Sequence, residues 1–154
     1  MPKQIQKISH DYIRGLVDGE GCFTFCTTKY ITASGKTVIK KIPTFSIAMN
    51  ERDLPLILAV RDGLGLKNKI YTNKNNHHRD GYKRGKLSML IVREFGNLKN
   101  VVVPFFYKKL HGYKGTQFSD WLEAIGNDPD VPESFKFIYK IYKAGFYDKN
   151  PKFE

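Results

Sequence analysis

Two runs of β-forming residues, 22–32 and 37–48, are separated by only four residues, and this pair constrains the fold more than any other feature of the sequence. The separating residues, 33–36, include a serine and a glycine, which favour turns. Two such runs joined by a short turn predict an antiparallel hairpin. At roughly 3.3 Å per residue, a strand of about 11 residues spans about 36 Å. The sequence therefore predicts a long hairpin.

Helical patterns surround this hairpin, and the arrangement then recurs. An apolar stripe with Ser9 as its N-cap precedes the hairpin, and a second helical stripe follows it and ends at Gly63 and Gly65. The other predicted elements are strands at 69–73 and 86–92 and helices at 94–102, 116–126 and 133–145. The predicted order is α-ββ-α-ββ-α-α-α. The expected fold class is therefore α+β, in a single domain over residues 1–154.

Alternation within the hairpin separates a core face from a second face. Phe23, Phe25, Phe45 and Ile47 recur at every second position and are predicted to face a core. The residues between them are small, polar or basic and are predicted to point the other way: Thr24, Cys26, Thr28, Tyr30, Lys40, Thr44 and Ser46. The second face is therefore either a solvated surface or a binding surface.

The composition excludes several classes of protein. Hydrophobic residues make up 41% of the 154-residue chain, which is enough for a core and argues against disorder. No apolar run approaches the roughly 18 residues of a membrane span, and residues 1–7 lack the apolar segment of a secretory signal. Cys22 and Cys26 are too few for a disulfide scaffold or a zinc site. We expect an intracellular protein, in a bacterial cytoplasm or an organelle matrix, with no membrane partner and no small-molecule substrate.

Positive charge is concentrated in the middle of the chain. The formal net charge is +11, and residues 29–93 carry fourteen basic and four acidic side chains, a net charge of +10. A concentrated excess of this kind favours a nucleic-acid partner over a solvated surface. The predicted hairpin is also as long as one turn of B-DNA, about 34–36 Å, so it is long enough to follow a major groove.

The predicted DNA-binding residues lie on the strands and the loops. Candidates for base or phosphate contacts are Thr24, Cys26, Thr28, Tyr30, Lys40, Thr44, Ser46, Tyr71, Asn73, Lys86 and Ser88. Candidates for phosphate contacts near loops are Lys36, Lys74, Arg79, Lys83 and Arg84. His77 and His78 have no cysteine or acid at zinc-ligand spacing beside them, and we interpret them as part of a basic loop.

Residues 13–21, Ile-Arg-Gly-Leu-Val-Asp-Gly-Glu-Gly, end the first helix just before the hairpin. This segment resembles the nine-residue motif of the LAGLIDADG homing endonucleases, and the resemblance covers roughly residues 9–126. It implies an αββαββα core with a saddle-shaped four-stranded antiparallel sheet, here followed by extra C-terminal helices such as 133–145. It also implies that double-stranded DNA is the substrate, cut by a metal-dependent reaction that leaves short 3′ overhangs.

The glycines of the motif have two interpretations. Gly15 and Gly19 lie four residues apart on one helical face, where small side chains let two backbones approach closely. Either a second copy of the helix packs there, or the glycines fit against this chain's own sheet. A chain of 154 residues holds one such motif, so the resemblance implies a homodimer. The predicted dimer interface is Tyr12, Ile13, Gly15, Leu16 and Gly19.

The acidic residues of the motif predict the chemistry. Asp18 is expected to form a hydrogen bond or a cap, whereas Glu20 emerges past the helix end. Two Glu20 side chains related by a two-fold axis repel unless a cation lies between them, and Mg²⁺ is the simplest one, with Mn²⁺ or Ca²⁺ able to substitute for binding. The resemblance likewise implies that Glu20 binds the metal, and we assign Gly19 to the same site.

A lysine is expected to complete the active site. By its position after Val103-Pro104-Phe105-Phe106, Lys114 is the first candidate and Lys109 the second, and either is otherwise an ordinary phosphate contact. The family often has a glutamine after the second strand, where this chain has Met49. Two other functions stay open at this point: an RNA maturase on the same fold without cleavage, and a ribosome-type RNA-binding protein.

Overall fold

The computed structural model of the chain describes residues 7–73 and 85–154. The predicted hairpin is present as β1 (Gly21–Ile31) and β2 (Thr37–Asn50). The two strands are antiparallel and pair without interruption from the Gly21–Ile47 pair to the Ile31–Thr37 pair. Gly35 in the connecting turn has a φ of +83°, which glycine adopts at little cost. The hairpin prediction is confirmed.

The second pair of strands joins the hairpin in one sheet. β3 (Tyr71–Asn73) and β4 (Leu87–Val92) are shorter than predicted at 69–73 and 86–92. Every pairing is antiparallel, and the strand order is β1-β2-β4-β3. The four-stranded antiparallel sheet and the α+β class are therefore confirmed, with β1 and β3 as the edge strands.

The predicted helices occur in the predicted order with shifted ends, and one short helix after residue 145 is additional. They are α1 (His10–Glu20), α2 (Leu54–Gly63), α3 (Phe95–Asn97), a π-helical turn (Leu98–Val102), α4 (Val103–Phe106), α5 (Tyr113–Asn127), α6 (Glu133–Lys143) and α7 (Phe146–Lys149). The helical segment predicted at 94–102 continues to Phe106, because Pro104 lies in the first turn of α4, where its missing N–H is not needed. In the described residues, no helix is both long enough and apolar enough to cross a bilayer.

The sheet buries the face that the alternation predicts. Phe23, Phe45 and Ile47 are 4%, 0% and 1% exposed, and the rings of Phe23 and Phe45 meet edge to face at 5.3 Å. Ile13 of α1 and Ile57 of α2 belong to the same buried cluster. Phe25 is only partly buried against it. We call this the inner face; the residues between these positions, such as Thr24, Cys26 and Ser46, form the outer face.

The start of α1 is anchored to the end of the described chain. Ser9 caps α1 as predicted, since its hydroxyl accepts a hydrogen bond from the Tyr12 N–H at 3.0 Å. The Arg14 guanidinium is buried and donates to the carbonyl oxygens of Phe105 at 3.0 Å and Glu154 at 2.9 Å. Buried charges are stable only when they are hydrogen-bonded in this way. Arg14 therefore fixes the motif helix against the helical layer.

We expect Gly126→Ala to destabilise the fold by about 1–3 kcal/mol, despite the better helix propensity of alanine. A Cβ at Gly126 of α5 would lie 2.2 Å from the ring of Tyr139 in α6, so the two helices must move apart. The free energy of unfolding in urea measures the effect. Gly96→Ala is the control, because a Cβ there has no described atom within 4 Å. Equal stability of both variants would contradict the close packing of α5 and α6.

Candidate nucleic-acid interface and active site

Glu20 is the last residue of α1 and lies where the helix passes directly into β1. Gly21 makes this junction possible, because a Cβ there would lie 2.6 Å from Val17 Cγ1 and 2.9 Å from the Val17 carbonyl oxygen. The Gly21 N–H also caps the helix by donating to that carbonyl. Glu20 is exposed, and nothing in the described residues pairs with its carboxylate. The acid that the motif predicts as functional is therefore available to a ligand.

Lys114 lies beside this helix–strand junction. Its Nζ donates to the Gly21 carbonyl oxygen at 2.5 Å, across 93 residues of sequence. A positive charge near the C-terminal end of a helix is also favourable. The structure shows no comparable side-chain contact for Lys109, which is exposed, within the described residues. Of the two candidate lysines, Lys114 is the one that the fold brings next to Glu20.

The helix that carries Lys114 runs along the outer edge of β1. Gln117, one turn further along α5, accepts a hydrogen bond from the Phe23 N–H at 3.2 Å. Trp121, one more turn along, donates from Nε1 to the Thr24 carbonyl oxygen at 2.8 Å. These contacts satisfy backbone groups that an edge strand would otherwise leave unpaired. The sequence gives no sign of the Gln117 contact, because the two partners are 94 residues apart.

Asp18, the first acid of the motif, has a structural role. Its carboxylate accepts hydrogen bonds from the backbone N–H groups of His111, at 3.1 and 3.2 Å, and Gly112, at 3.1 Å. Gly112 is the N-cap residue of α5, so the carboxylate also lies at the positive end of that helix. This anchor also explains why α5 begins at Tyr113 and not at the predicted residue 116. Asp18 thus holds α5, and Lys114 with it, against the motif helix.

The glycine face of α1 is open. A Cβ built on Gly15 or on Gly19 meets no described atom within 4 Å, so these glycines do not fit against the chain's own sheet. Tyr12 is 51% exposed on the same helix, and Leu16 is partly exposed. Ile13 is a correction: it is fully buried in the core and is not available to a partner. Of the predicted interface, Tyr12, Gly15, Leu16 and Gly19 remain.

Most of the strand residues predicted to bind DNA share the outer face. Their cross-strand pairs include Thr24 with Thr44, Thr28 with Lys40, and Cys22 with Ser46. Antiparallel partners point to the same side of a sheet. The same rule places Cys26 and Tyr30 of β1, and Tyr71 and Asn73 of β3, on this side. Lys36 and Lys86 are exposed just outside the strands.

Two of the residues predicted to bind DNA, Ser88 and Thr44, are not accessible. Ser88 is 1% exposed and belongs to the inner-face set of β4, with Leu90 and Val92, so we remove it from the DNA-binding set. Thr44 lies on the outer face but is 6% exposed, and its hydroxyl already donates to the Ile42 carbonyl at 2.9 Å. We therefore remove Thr44 as well. Four predicted phosphate contacts and the histidine pair lie outside the described residues: Lys74, Arg79, Lys83, Arg84, His77 and His78.

The donor atoms at the junction are oxygens, which hard divalent cations prefer. Glu20 supplies a carboxylate, and the Gly19 carbonyl belongs to the last turn of α1, where helical carbonyls lack intrahelical partners. Such oxygen donors suit Mg²⁺. The described residues contain no group of three or more His, Cys, Asp or Glu side chains able to hold a metal. The described part of the chain thus supplies two oxygen donors at this junction.

Known proteins share this sequence pattern and fold. The family model for the LAGLIDADG endonucleases matches residues 13–125. The homing endonuclease I-TnaI is 28% identical, with a TM-score of 0.57 over 78% of this chain and 73% of I-TnaI. The I-LtrWI LAGLIDADG homing endonuclease, whose crystal structure is with target DNA, is 26% identical, with a TM-score of 0.58 over 75% of this chain and 36% of that one.

A third solved structure extends the similarity of fold. I-SmaMI, a LAGLIDADG homing endonuclease solved with cleaved DNA, is 21% identical, with a TM-score of 0.60 over 94% of this chain and 47% of that chain. At that identity the likeness concerns the fold alone. This chain thus spans less than half of I-LtrWI and of I-SmaMI. No curated protein matches the sequence.

Proposed function

Because the chain belongs to the LAGLIDADG endonuclease family, we propose that it is a homing endonuclease that cuts both strands of a specific DNA duplex as a homodimer. The observation that carries the proposal is the junction of α1 and β1. There an exposed carboxylate, Glu20, which has no partner in residues 7–73 and 85–154, ends a helix whose glycine face meets no described atom. β1, whose outer-face residues are predicted to bind DNA, starts at the same junction. Cleavage chemistry and DNA binding are therefore combined at one end of one sheet.

The open glycine face supports the homodimer. A Cβ built on Gly15 or Gly19 meets no described atom within 4 Å beyond the helix backbone and the two chain neighbours, and a second copy of α1 needs such an open surface for close approach. A two-fold axis along this face would bring the two Glu20 carboxylates together. Each chain would then supply half of the active site.

Glu20 and Gly19 of each chain are proposed to hold the divalent metal, together with phosphate oxygens of the DNA. When bound, a divalent cation lowers the pKa of a coordinated water and stabilises charge on the leaving oxygen of a phosphodiester. The Glu20 carboxylates of the two chains would hold the cation at the α1–β1 junction. Two like charges at short distance are tolerable only with such a counter-ion.

Lys114 is proposed to act on the charge that develops at the scissile phosphate. Its ammonium group is held beside the Gly21 carbonyl, one residue from Glu20, and Asp18 fixes the start of the helix that carries it. A cation that is positioned before the reaction stabilises a developing negative charge without reorganisation. Where the family often has a glutamine after the second strand, this chain has Met49, which lies partly buried against the core on the inner face and offers a water no hydrogen-bond donor and only a weak acceptor.

The outer face is proposed to lie in the major groove of one half-site. The hairpin strands are 11 and 14 residues long, so each follows about one turn of the duplex. Two half-sites of about ten base pairs give a nearly palindromic target of about twenty. Cleavage across the minor groove between them would leave short 3′ overhangs.

We expect Lys114→Met to lower the cleavage rate by about 100-fold, with DNA binding largely kept, because the substitution removes one positioned charge from the transition state. Single-turnover cleavage at saturating protein measures the loss. Lys109→Met is the matched control and should cut at nearly the rate of the unaltered chain. Equal losses in both variants would mean that neither lysine acts in the chemistry and that both only attract phosphate.

The proposed function is tested with a supercoiled plasmid that carries the joined DNA flanks of the chain's own gene. A homing enzyme cuts the uninterrupted version of its insertion site, so linear product in the presence of Mg²⁺ is the expected result. The same assay is repeated with Mn²⁺. Binding without a cut in either metal would contradict the nuclease and would favour an RNA maturase or another nucleic-acid-binding protein on this fold.

A further inference from the structure

Arg93 follows β4 directly, and its side chain extends across the outer face of the sheet. Its Nη1 donates to the Sγ of Cys26 at 3.5 Å. Cys26 belongs to β1, and β2 separates β1 from β4. Neighbouring strands are about 4.8 Å apart, so this contact crosses about 10 Å of sheet. Thr44 of β2 is 6% exposed on this face, as expected beneath a long side chain. The side chain thus crosses β2, and its guanidinium lies above the outer face between β2 and the edge strand β1.

The charge of Arg93 is not neutralised within the described parts of the chain. The adjacent carboxylate, Glu94, instead accepts hydrogen bonds from the Arg93 backbone N–H at 3.0 Å and from Asn68 Nδ2 at 3.1 Å. Partial burial alone would raise the pKa of Glu94, but these hydrogen bonds lower it, so the carboxylate is ionised and already bound. In residues 7–73 and 85–154 no carboxylate forms an ion pair with the Arg93 guanidinium.

Most of the hydrogen-bonding capacity of Arg93 therefore remains unused. A guanidinium has five N–H donors in a planar fork, and the thiol of Cys26 is a weak acceptor for one of them. The fork matches the O6 and N7 acceptors of guanine in the major groove, which is the commonest specific contact between proteins and DNA. Phosphates lie along the rims of a groove, whereas base edges form its floor. A side chain that lies flat above the outer face, across β2, is placed for the floor.

We propose that Arg93 is a specificity-determining residue that recognises one guanine in each half-site. This inference rests on the proposed DNA-cleaving function. Cys26 positions the side chain across the sheet before DNA binds, which reduces the entropy lost when the contact forms. In a homodimer the two copies of Arg93 are related by the two-fold axis. The two guanines are therefore expected at symmetric positions of the target, one on each strand.

The test is parallel selection from a pool of 30-base-pair duplexes with 22 randomised positions, using the unaltered chain, Arg93→Ala, Arg93→Gln and Lys29→Ala. Lys29→Ala is the matched control. It removes one positive charge from an exposed residue of β1. Lys29 follows Phe23 and Phe25 at every second position of the strand, so its side chain belongs to the inner face and not to the outer face. The unaltered chain and Lys29→Ala should select the same sequence. Both Arg93 variants should lose the guanine preference, about 10- to 100-fold, at one symmetric pair of positions and keep it elsewhere.

Two other results would overturn the inference. If the Arg93 variants select the unaltered sequence but bind all duplexes more weakly, with a smaller dependence on salt, then Arg93 contacts a phosphate. That result leaves the proposed function intact. If the unaltered chain selects no preferred sequence, the site-specific function itself is wrong, and the reading of a guanine by Arg93 is wrong with it.

Discussion

Replacing Glu20 with glutamine is expected to reduce DNA cleavage by roughly 1,000-fold or more while leaving DNA binding largely unchanged. The substitution keeps the shape of the side chain but removes the charge that is proposed to hold a divalent cation. Glu20 has no partner in the described residues, so its loss breaks no internal contact and the fold should be unaffected. Cleavage of the plasmid target in Mg²⁺ and gel-shift binding in Ca²⁺ give the two readouts.

The control for this variant is Glu133→Gln, which removes an exposed carboxylate from the first turn of α6. It should cut at the rate of the unaltered chain, because α6 lies outside the proposed active site. Cleavage by Glu20→Gln at the same rate as by Glu133→Gln would contradict the metal-binding role. Loss of binding as well as cleavage would mean that Glu20 serves the interface and not the chemistry.

The second large effect is expected from Gly15→Leu. In the single chain a side chain at Gly15 points into open space, so leucine should fit and should stabilise α1 by roughly 0.8 kcal/mol through better helix propensity. In the proposed dimer the same side chain would keep the two copies of α1 apart. We therefore expect a monomer that melts no lower than the unaltered chain and does not cut DNA.

Light scattering, thermal melting and plasmid cleavage separate the possible causes of this effect. Gly96→Leu is the matched control, because a Cβ at Gly96 also meets no described atom within 4 Å but lies in α3, away from the glycine face. It should remain dimeric and active. A Gly15→Leu protein that is still dimeric and cuts normally would show that the dimer uses another surface.

Sequence patterns predict the elements of this fold well, because each one is encoded locally. The turn at Gly35, the N-cap at Ser9 and the alternation through Phe23 and Phe45 involve residues close together in the chain. Their physics does not depend on distant partners. The helix–hairpin order and the antiparallel sheet follow from such local signals.

The errors arise where a pattern is ambiguous. β4 alternates between Leu87, Met89 and Ile91 on one side and Ser88, Leu90 and Val92 on the other, so both faces contain apolar residues and the buried face cannot be read from the strand alone. Ser88 is therefore misassigned. Ile13 is misassigned because it lies at the boundary between the buried and the open sides of α1, where helical spacing does not separate them.

The contacts that build the site could not be predicted because they join distant segments. Lys114 meets Gly21, Asp18 meets Gly112, and Arg93 meets Cys26, at separations of 93, 94 and 67 residues. Only the folded sheet and the course of α5 along its edge bring these partners together. From the sequence, Lys114 ranks above Lys109 as the candidate active-site lysine. In the structure, the Lys114 side chain contacts the Gly21 carbonyl oxygen, next to Glu20.

The central claim is that two copies of this chain form one active site on one duplex. Native mass spectrometry of the protein on a short, uncleavable duplex of the target sequence, combined with cleavage rates over a dilution series, tests it most directly. We predict a complex of two chains and one duplex, and a cleavage rate that falls with the square of the protein concentration once the dimer dissociates. A complex with a single chain that cuts both strands at the full rate would contradict the claim.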